Sequence, residues 1–170
     1  MCGPACIQMV LLRKGMWMDQ EEIAEKVNAR IFADQKDFFS KKLRITKDDI
    51  EVGIRLREFG EERIRNFFKN LKPSLKTEIF QVSEIKEVKD FIKENLNKNN
   101  DIIANIHMRY FDKKRKFGHF VLVSEIKGDR VTLCDPSPNS QNLWITTIDK
   151  LVKSMSKKID GLERGFAIIS

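Results

Sequence analysis

In the first half of the chain, apolar residues recur at the helical spacing of three and four positions, which predicts a series of short helices. Pro4 suits the first turn of the first helix, and Gly15 lies at its end. Asp19 is the predicted N-cap of the second helix, with Glu22 completing a capping box. Ser83 is the predicted N-cap of the helix over residues 84–96. The predicted helices span residues 2–12, 20–28, 46–59, 61–71 and 84–96, with a short strand at 77–82.

The second half of the chain changes to short runs rich in Ile, Val and Phe, separated by turn residues, which is typical of strands. A short helix is expected at 147–156, and Lys127-Gly128-Asp129 is typical of a hairpin turn. The predicted strands are 102–108, 117–126, 130–135, 142–146 and 165–169. Helices followed by an antiparallel sheet predict an α+β fold, with N-terminal helices packed on a C-terminal antiparallel β-sheet.

The length of 170 residues favours a single domain covering 1–170. Residues 29–50 follow no dominant period, so we interpret them as an insertion or cap containing one or two short helices. Their phenylalanines and lysines make this segment the expected place for substrate selection. No internal repeat and no linker rich in Pro, Gly or Ser indicates a second domain.

Composition excludes several classes of protein. Hydrophobic residues make up 41% and charged residues 34%, and no apolar run reaches the roughly 18 residues of a membrane span. The net charge of +7 is spread along the chain, which argues against nucleic-acid binding. One dense run, Lys113 to Lys116, is expected to be an exposed hairpin tip that steers acidic groups. Three cysteines without a disulfide spacing, and no signal-peptide pattern, favour reduced thiols in the cytoplasm.

Three residues that are far apart in the sequence have the composition of a thiol–imidazole–carboxylate site. Cys2 lies at the start of the first helix, where the positive end of the helix dipole favours a thiolate. His119 begins an apolar strand, and an imidazole beside the thiol further favours the charged, nucleophilic form. Asp135 ends the next strand, where a carboxylate can orient the imidazole ring. The predicted catalytic residues are therefore Cys2, His119 and Asp135.

The hairpin supports the pairing of His119 with Asp135. With the turn centred near position 127.5, the mean of 119 and 135 is 127, which places the two residues across from each other within one register step. By strand alternation Cys134 points to the other face, towards the core.

The remaining candidates are expected to be structural. Cys6 lies one helical turn after Cys2, so it is placed to ligate a metal or oxidise with Cys2, but packing beneath the helix is the favoured interpretation. A zinc site formed by Cys2, Cys6, His107 and His119 is an alternative that lacks a paired cysteine knuckle. His107 lies within an apolar strand and is expected to be buried or at its edge. Trp17 and Trp144 are candidates to line a groove, but packing in the core is the favoured interpretation for both. No metal or cofactor is predicted.

The motifs resemble those of the papain-like cysteine peptidases that process bacteriocins by removing double-glycine leaders, often fused to export ABC transporters. The resemblance extends along the chain, and the matching segments are 2–11, 56–60, 102–105, 118–121, 135–136 and 165–168. It implies a papain-like fold, a peptide or protein substrate and a thioester intermediate. It also implies that Cys2 is the nucleophile, His119 the general base and acid, and Asp135 the orienting residue. No transporter domain follows, which indicates a free-standing version of the domain.

The sequence departs from the family at the oxyanion hole. The family carries a glutamine before the cysteine as an oxyanion donor, whereas only Met1 precedes Cys2 here. Losing one such donor costs about 10²–10³ in rate. The backbone N–H of Cys2 is one remaining donor. Replacement side chains are expected among Asn139, Gln141 and Asn142.

The sequence leaves other functions open. A catalytically weak peptide-binding module of the same fold is one alternative. A transpeptidase or a γ-glutamyl transferase is another, because an amine can resolve the same thioester. Removal of Met1 before the small residue Cys2 would leave an N-terminal cysteine, which an intact-mass measurement would detect.

Overall fold

The computed structural model describes residues 1–47, 52–137, 142–156 and 161–170. Its α-helices are α1 Cys2–Arg13, α2 Gln20–Lys26, α3 Glu62–Lys69, α4 Val88–Asn97 and α5 Ile148–Ser154. Its strands are β1 Arg30–Phe32, β2 Arg44–Thr46, β3 Thr77–Gln81, β4 Asp101–His107, β5 Gly118–Lys127, β6 Arg130–Cys134, β7 Leu143–Thr147 and β8 Gly165–Ile169. Short 3₁₀ helices at 33–38, 56–60, 82–84 and 108–110 connect some of these elements.

The first two helices form much as their sequences predict. Helix α1 ends in a Schellman motif, in which Gly15 has a φ of +74° and Met16 donates its N–H to the Leu11 carbonyl at 2.8 Å. Asp19 caps α2 by accepting the Glu21 N–H at 2.8 Å. Glu22 does not act as the predicted capping-box partner; its carboxylate pairs with Lys26 at 3.5 Å, one helical turn later.

The fold is α+β and is organised around a six-stranded antiparallel sheet of order β3-β8-β4-β5-β6-β7. Helix α1 packs along β5, and Gly3 near the start of the helix lies close to Phe120 near the start of the strand, so the two starts lie at the same end of the sheet. Strands β1 and β2 form a separate parallel pair in the part of the chain predicted to be an insertion.

A hydrophobic core covers each face of the sheet. On one face, residues of α1, α2 and α3 pack with Ile103, Phe120 and Leu122. On the other face, residues of α4 and α5 pack with Val121, Val123 and Leu133. Strands β4 and β8 are covered on both faces, which explains why they are nearly continuous apolar runs and not alternating ones.

Two predictions for the first half were wrong, and one was incomplete. The segment predicted as an insertion or cap contains a short 3₁₀ helix at 33–38, as expected, but also the strands β1 and β2, which were not predicted; residues 48–50 lie outside the described residues. The predicted helix 46–59 is absent where it is described: Thr46 ends β2, Gly53 forms an isolated bridge with Arg30, and only 56–60 is helical, as a 3₁₀ turn. The predicted cap Ser83 lies in a 3₁₀ turn, and α4 begins five residues later.

The β5–β6 hairpin differs from prediction in register. Lys127 pairs with Arg130, so the two turn residues are Gly128 and Asp129 and the turn is centred one position later than predicted. Gly128 has a φ of +58°, which a two-residue hairpin turn of type II′ requires at its first central position. A β-bulge between Val123 and Glu125 then shifts the register, so that Leu122 lies opposite Cys134.

No helix in the described segments is both long enough and apolar enough to cross a membrane. The two tryptophans differ in environment. Trp17 is 72% exposed, so the prediction that it packs in the core was wrong. Trp144 is half-buried, and its ring lies edge-on to Phe111 at 4.7 Å between centroids.

Candidate active site

The structure brings Cys2, His119 and Asp135 together at one end of the sheet. Cys2 is the first residue of α1, His119 the second residue of β5, and Asp135 the residue after β6. Helix α1 can pack closely against Ile54 because Gly3 has no side chain: a Cβ there would overlap Ile54, whereas it would make only an ordinary contact with Phe120 at 3.5 Å. Close packing of the helix against Ile54 thus helps to set the position of the thiol.

His119 and Asp135 form a buried hydrogen-bonded pair. The Nε2 atom of His119 lies 2.7 Å from Oδ1 of Asp135, and the two residues are 7% and 4% exposed. Asp135 also accepts the Ser137 N–H at 2.9 Å, and its own N–H donates to the Asn142 carbonyl at 2.9 Å. These bonds hold the carboxylate at the strand end and fix the orientation of the imidazole ring.

Extending the observed register explains how the two side chains meet. Leu122 lies opposite Cys134, so Asp135 continues the pairing opposite Val121, two residues from His119 and on the same side by alternation. The prediction of direct opposition within one step was therefore wrong. A diagonal neighbour at this spacing is still within reach of long side chains.

The thiol of Cys2 interacts with the other side of the imidazole. Burial raises the pKa of Cys2, but the hydrogen bond and positive charge of His119, the amino terminus and the Phe120 N–H outweigh burial and lower the pKa overall. Because Nε2 is engaged by Asp135, Nδ1 is the ring nitrogen that faces the thiol. Burial lowers the pKa of His119, while the hydrogen bonds and charges of Asp135 and Cys2 raise it to about 9.

The other cysteines have the environments of packing residues. Cys6 lies on the fully buried face of α1, and burial raises the pKa of its thiol well above the usual range. Cys134 is half-buried and packs against the core on the α1 side of the sheet. All three cysteines are free thiols.

The structure does not form the zinc site that the sequence left as an alternative. His107 is buried at the end of β4, where its Nδ1 accepts the Arg109 N–H at 3.2 Å. Within the described ranges, no group of three or more His, Cys, Asp or Glu side chains is placed to hold a metal ion.

Of the candidate oxyanion donors, Asn139 and Gln141 lie outside the described residues, and Asn142 is exposed. The N–H of Cys2 lies in the first turn of α1, where backbone N–H groups have no partner within the helix. It is therefore available to a ligand at the helix start.

Sequence patterns did not indicate several residues around the site. The ring of Phe117 lies edge-on to the His119 imidazole at 6.3 Å between centroids. A cavity of about 220 Å³ adjoins Met1 and is lined by Met1, Ile31, Gln35, Phe38, Phe39 and Val52. A larger open groove of about 650 Å³ between α2 and α3 contains none of the three candidate residues. The smaller cavity is also not lined by the candidate residues, but its lining includes Met1, which precedes Cys2.

No protein-family model matches this sequence, and a search of curated proteins finds no significant similarity. The geometry of the site is therefore the basis for a functional interpretation.

Proposed function

We propose that this protein is a cysteine peptidase, or more broadly a thiol-dependent amide hydrolase, with Cys2 as nucleophile. The observation that carries the proposal is the buried contact of His119 with Asp135, together with a Cys2 thiol whose pKa is lowered by His119. The arrangement of a nucleophile at a helix start, packed on an antiparallel sheet that bears the imidazole and carboxylate, supports a papain-like fold.

In the proposed reaction, the Cys2 thiolate attacks the carbonyl carbon of a peptide bond and forms a tetrahedral intermediate. The His119 imidazolium donates its proton to the leaving nitrogen, the C–N bond breaks, and an acyl thioester remains on Cys2. His119 then takes a proton from a water molecule, whose oxygen attacks the thioester; the C–S bond breaks, the carboxylic acid leaves, and the Cys2 thiolate and His119 imidazolium are regenerated. Asp135 keeps the ring oriented and favours its protonated form.

The N–H of Cys2 and the positive end of the α1 dipole are suited to stabilise the oxyanion. Such a donor must aim at the position where the negative charge develops. This role belongs to the backbone and does not depend on a glutamine side chain.

We also propose that the cavity next to Met1 receives an apolar side chain of the peptide substrate. Its lining is mostly apolar, and it belongs to the 29–52 region, in which Phe38 is 79% exposed. The resemblance to double-glycine leader peptidases makes such leader peptides the first substrates to test.

Alkylation with iodoacetamide tests the nucleophile directly. We expect Cys2 to react selectively at pH 6 with little dependence on pH, as an activated thiolate does. Cys134 is a half-buried internal control, and mass spectrometry of the digested protein separates the two sites. If Cys2 reacts no faster than Cys134 at pH 6, the protein is not a cysteine hydrolase, and the peptide-binding alternative replaces this proposal.

A further inference from the structure

A basic segment next to His119 is not used by the proposed reaction. Residues 109–117, which we call the basic loop, connect β4 to β5 and have the sequence RYFDKKRKF. The segment contains five basic residues and one acidic residue, a net charge of +4 in a chain whose total is +7. It ends two residues before His119.

Contacts within the basic loop hold it in a defined conformation. At its base, the Met108 N–H donates to the Phe117 carbonyl at 3.0 Å. Asp112, its acidic residue, accepts the Lys114 N–H at 3.0 Å and pairs with Arg115 at 3.4 Å. The ring of Phe111 packs edge-on against Trp144 and anchors the loop to the core on the α4 and α5 side of the sheet. The acidic residue is therefore engaged inside the loop and does not mask the lysines.

The other end of the basic loop borders the candidate active site. Phe117 is 50% exposed and contacts the His119 ring edge-on. The side chains of Lys113, Lys114 and Lys116 are exposed. A ligand that approaches His119 from this side thus meets an aromatic ring and a concentrated positive charge.

We propose that the basic loop binds an acidic segment of the peptide substrate and so selects substrates with Asp or Glu on the His119 side of the cleaved bond. This inference rests on the proposed function. Exposed lysines attract carboxylates over a distance of about one Debye length, roughly 10 Å at 0.1 M salt, which raises the rate of encounter. The loop is presented at the site by its own hydrogen bonds, so binding does not require the loop to be ordered first.

The first test compares an anionic and a neutral alkylating reagent on Cys2. Iodoacetate and iodoacetamide differ mainly in charge, so the ratio of their rates reports the local potential. We expect the K113Q/K114Q/K116Q variant to lower the iodoacetate-to-iodoacetamide ratio about fivefold at low ionic strength, with a smaller effect at 0.15 M salt. The iodoacetamide rate should not change. The variant K69Q/K86Q/K93Q removes the same charge from exposed lysines on other elements and should leave the ratio within about twofold of wild type.

The second test measures binding without catalysis. In a C2A variant, fluorescence anisotropy compares a labelled peptide containing several glutamates with a matched peptide containing glutamines. We expect the glutamate peptide to bind at least about tenfold more tightly, and the advantage to disappear in K113Q/K114Q/K116Q but not in the control variant. Equal binding of the two peptides, or an advantage that survives in the basic-loop variant, overturns the inference. Tighter binding of a single-stranded oligonucleotide than of the glutamate peptide also overturns it.

The two tests separate the failure of this inference from the failure of the proposed function. Slow alkylation of Cys2 by iodoacetamide at pH 6 contradicts the peptidase proposal. Peptide binding in the C2A variant still decides whether the basic loop recognises acidic segments.

Discussion

At the scale of single residues, the reactivity of the site depends on opposing effects on the pKa of the Cys2 thiol. Burial disfavours the charged form of Cys2, whereas His119 favours it strongly enough to lower its pKa. Asp135 and Cys2 together keep His119 protonated, with a pKa of about 9. Between these two pKa values, Cys2 and His119 form an ion pair. The reactivity of the thiol is therefore a property of the group and not of the cysteine alone.

Replacing His119 with Gln should abolish this activation. A neutral amide supplies no positive charge, while burial still raises the pKa of Cys2, so the thiol should become protonated at neutral pH. We expect iodoacetamide alkylation of Cys2 at pH 6 to slow about 10²-fold and to recover only above about pH 8.5. The control H107Q changes the buried histidine at the end of β4 and should retain the wild-type rate. Fast alkylation of H119Q at pH 6 would show that another group activates Cys2.

Replacing Asp135 with Asn should lower the pKa of His119 and not simply reduce activity. The amide oxygen can still accept a hydrogen bond from the ring, but the negative charge that favours the imidazolium is lost. Because Asp135 raises the pKa of His119, its neutralisation must lower that pKa from about 9 towards 6.5, and the alkaline limit of activity should move down with it. NMR titration of the imidazole signals should show a decrease of about one unit or more. The chain has two histidines, so an H107Q variant assigns the signals. An unchanged His119 pKa would contradict the role given to Asp135.

At the scale of elements, the order of strands along the hairpin was predictable, but its register was not. The apolar runs and the Gly128 turn correctly predicted β5 and β6. The bulge at Ser124 carries no distinctive sequence pattern, yet without it Leu122 would oppose Asp135 and His119 would point to the other side of the strand. The contact of His119 with Asp135 was thus predicted from a register that was one step in error at the turn. The bulge moves the register by one position, so that Asp135 lies opposite Val121 and on the same side of the sheet as His119.

The helix predicted over 46–59 failed for a different reason. Ile54, Leu56 and Phe59 are buried, so the apolar positions were correctly identified as core. Their burial comes from packing under α1 and against β3 and β8, not from a continuous helix. Local periodicity cannot distinguish these arrangements, because either one buries the same residues.

The packing of Gly3 on Ile54 should control the position of α1. The methyl group introduced by Gly3→Ala would overlap the Ile54 side chain, and the resulting shift should cost about 1–3 kcal/mol of stability. Since Cys2 precedes Gly3, the shift should also slow its alkylation at pH 6. The added substitution Ile54→Ala removes the overlapping atoms and should restore the alkylation rate, even though it opens a cavity. Additive effects of the two substitutions in urea unfolding and alkylation would show that this contact does not position the helix.

At the scale of the whole molecule, the last described strand is inserted into the interior of the sheet. Strand β8 lies between β3 and β4, although about 60 residues separate it from β4. Its continuous apolar sequence indicated a strand buried on both faces, but a strand's neighbours depend on distant contacts that no local pattern encodes. The sheet is therefore held together by both halves of the chain, because β3 from the first half pairs with β8 from the second.

Two isoleucines in this sheet provide a matched test of where its stability lies. Ile168 in β8 is 2% exposed, and Ile145 in the edge strand β7 is 66% exposed. Truncating Ile168 to Ala should leave a cavity in the core on the α4 and α5 side of the sheet and lower the free energy of unfolding by about 2–5 kcal/mol. Ile145→Ala should lower it by less than about 1 kcal/mol. Urea unfolding at constant slope measures both losses. Below its own unfolding transition, each variant should still alkylate Cys2 at pH 6, because neither side chain touches the three candidate residues. Equal losses for the two variants would mean that the edge strand β7 contributes as much to stability as the interior strand β8.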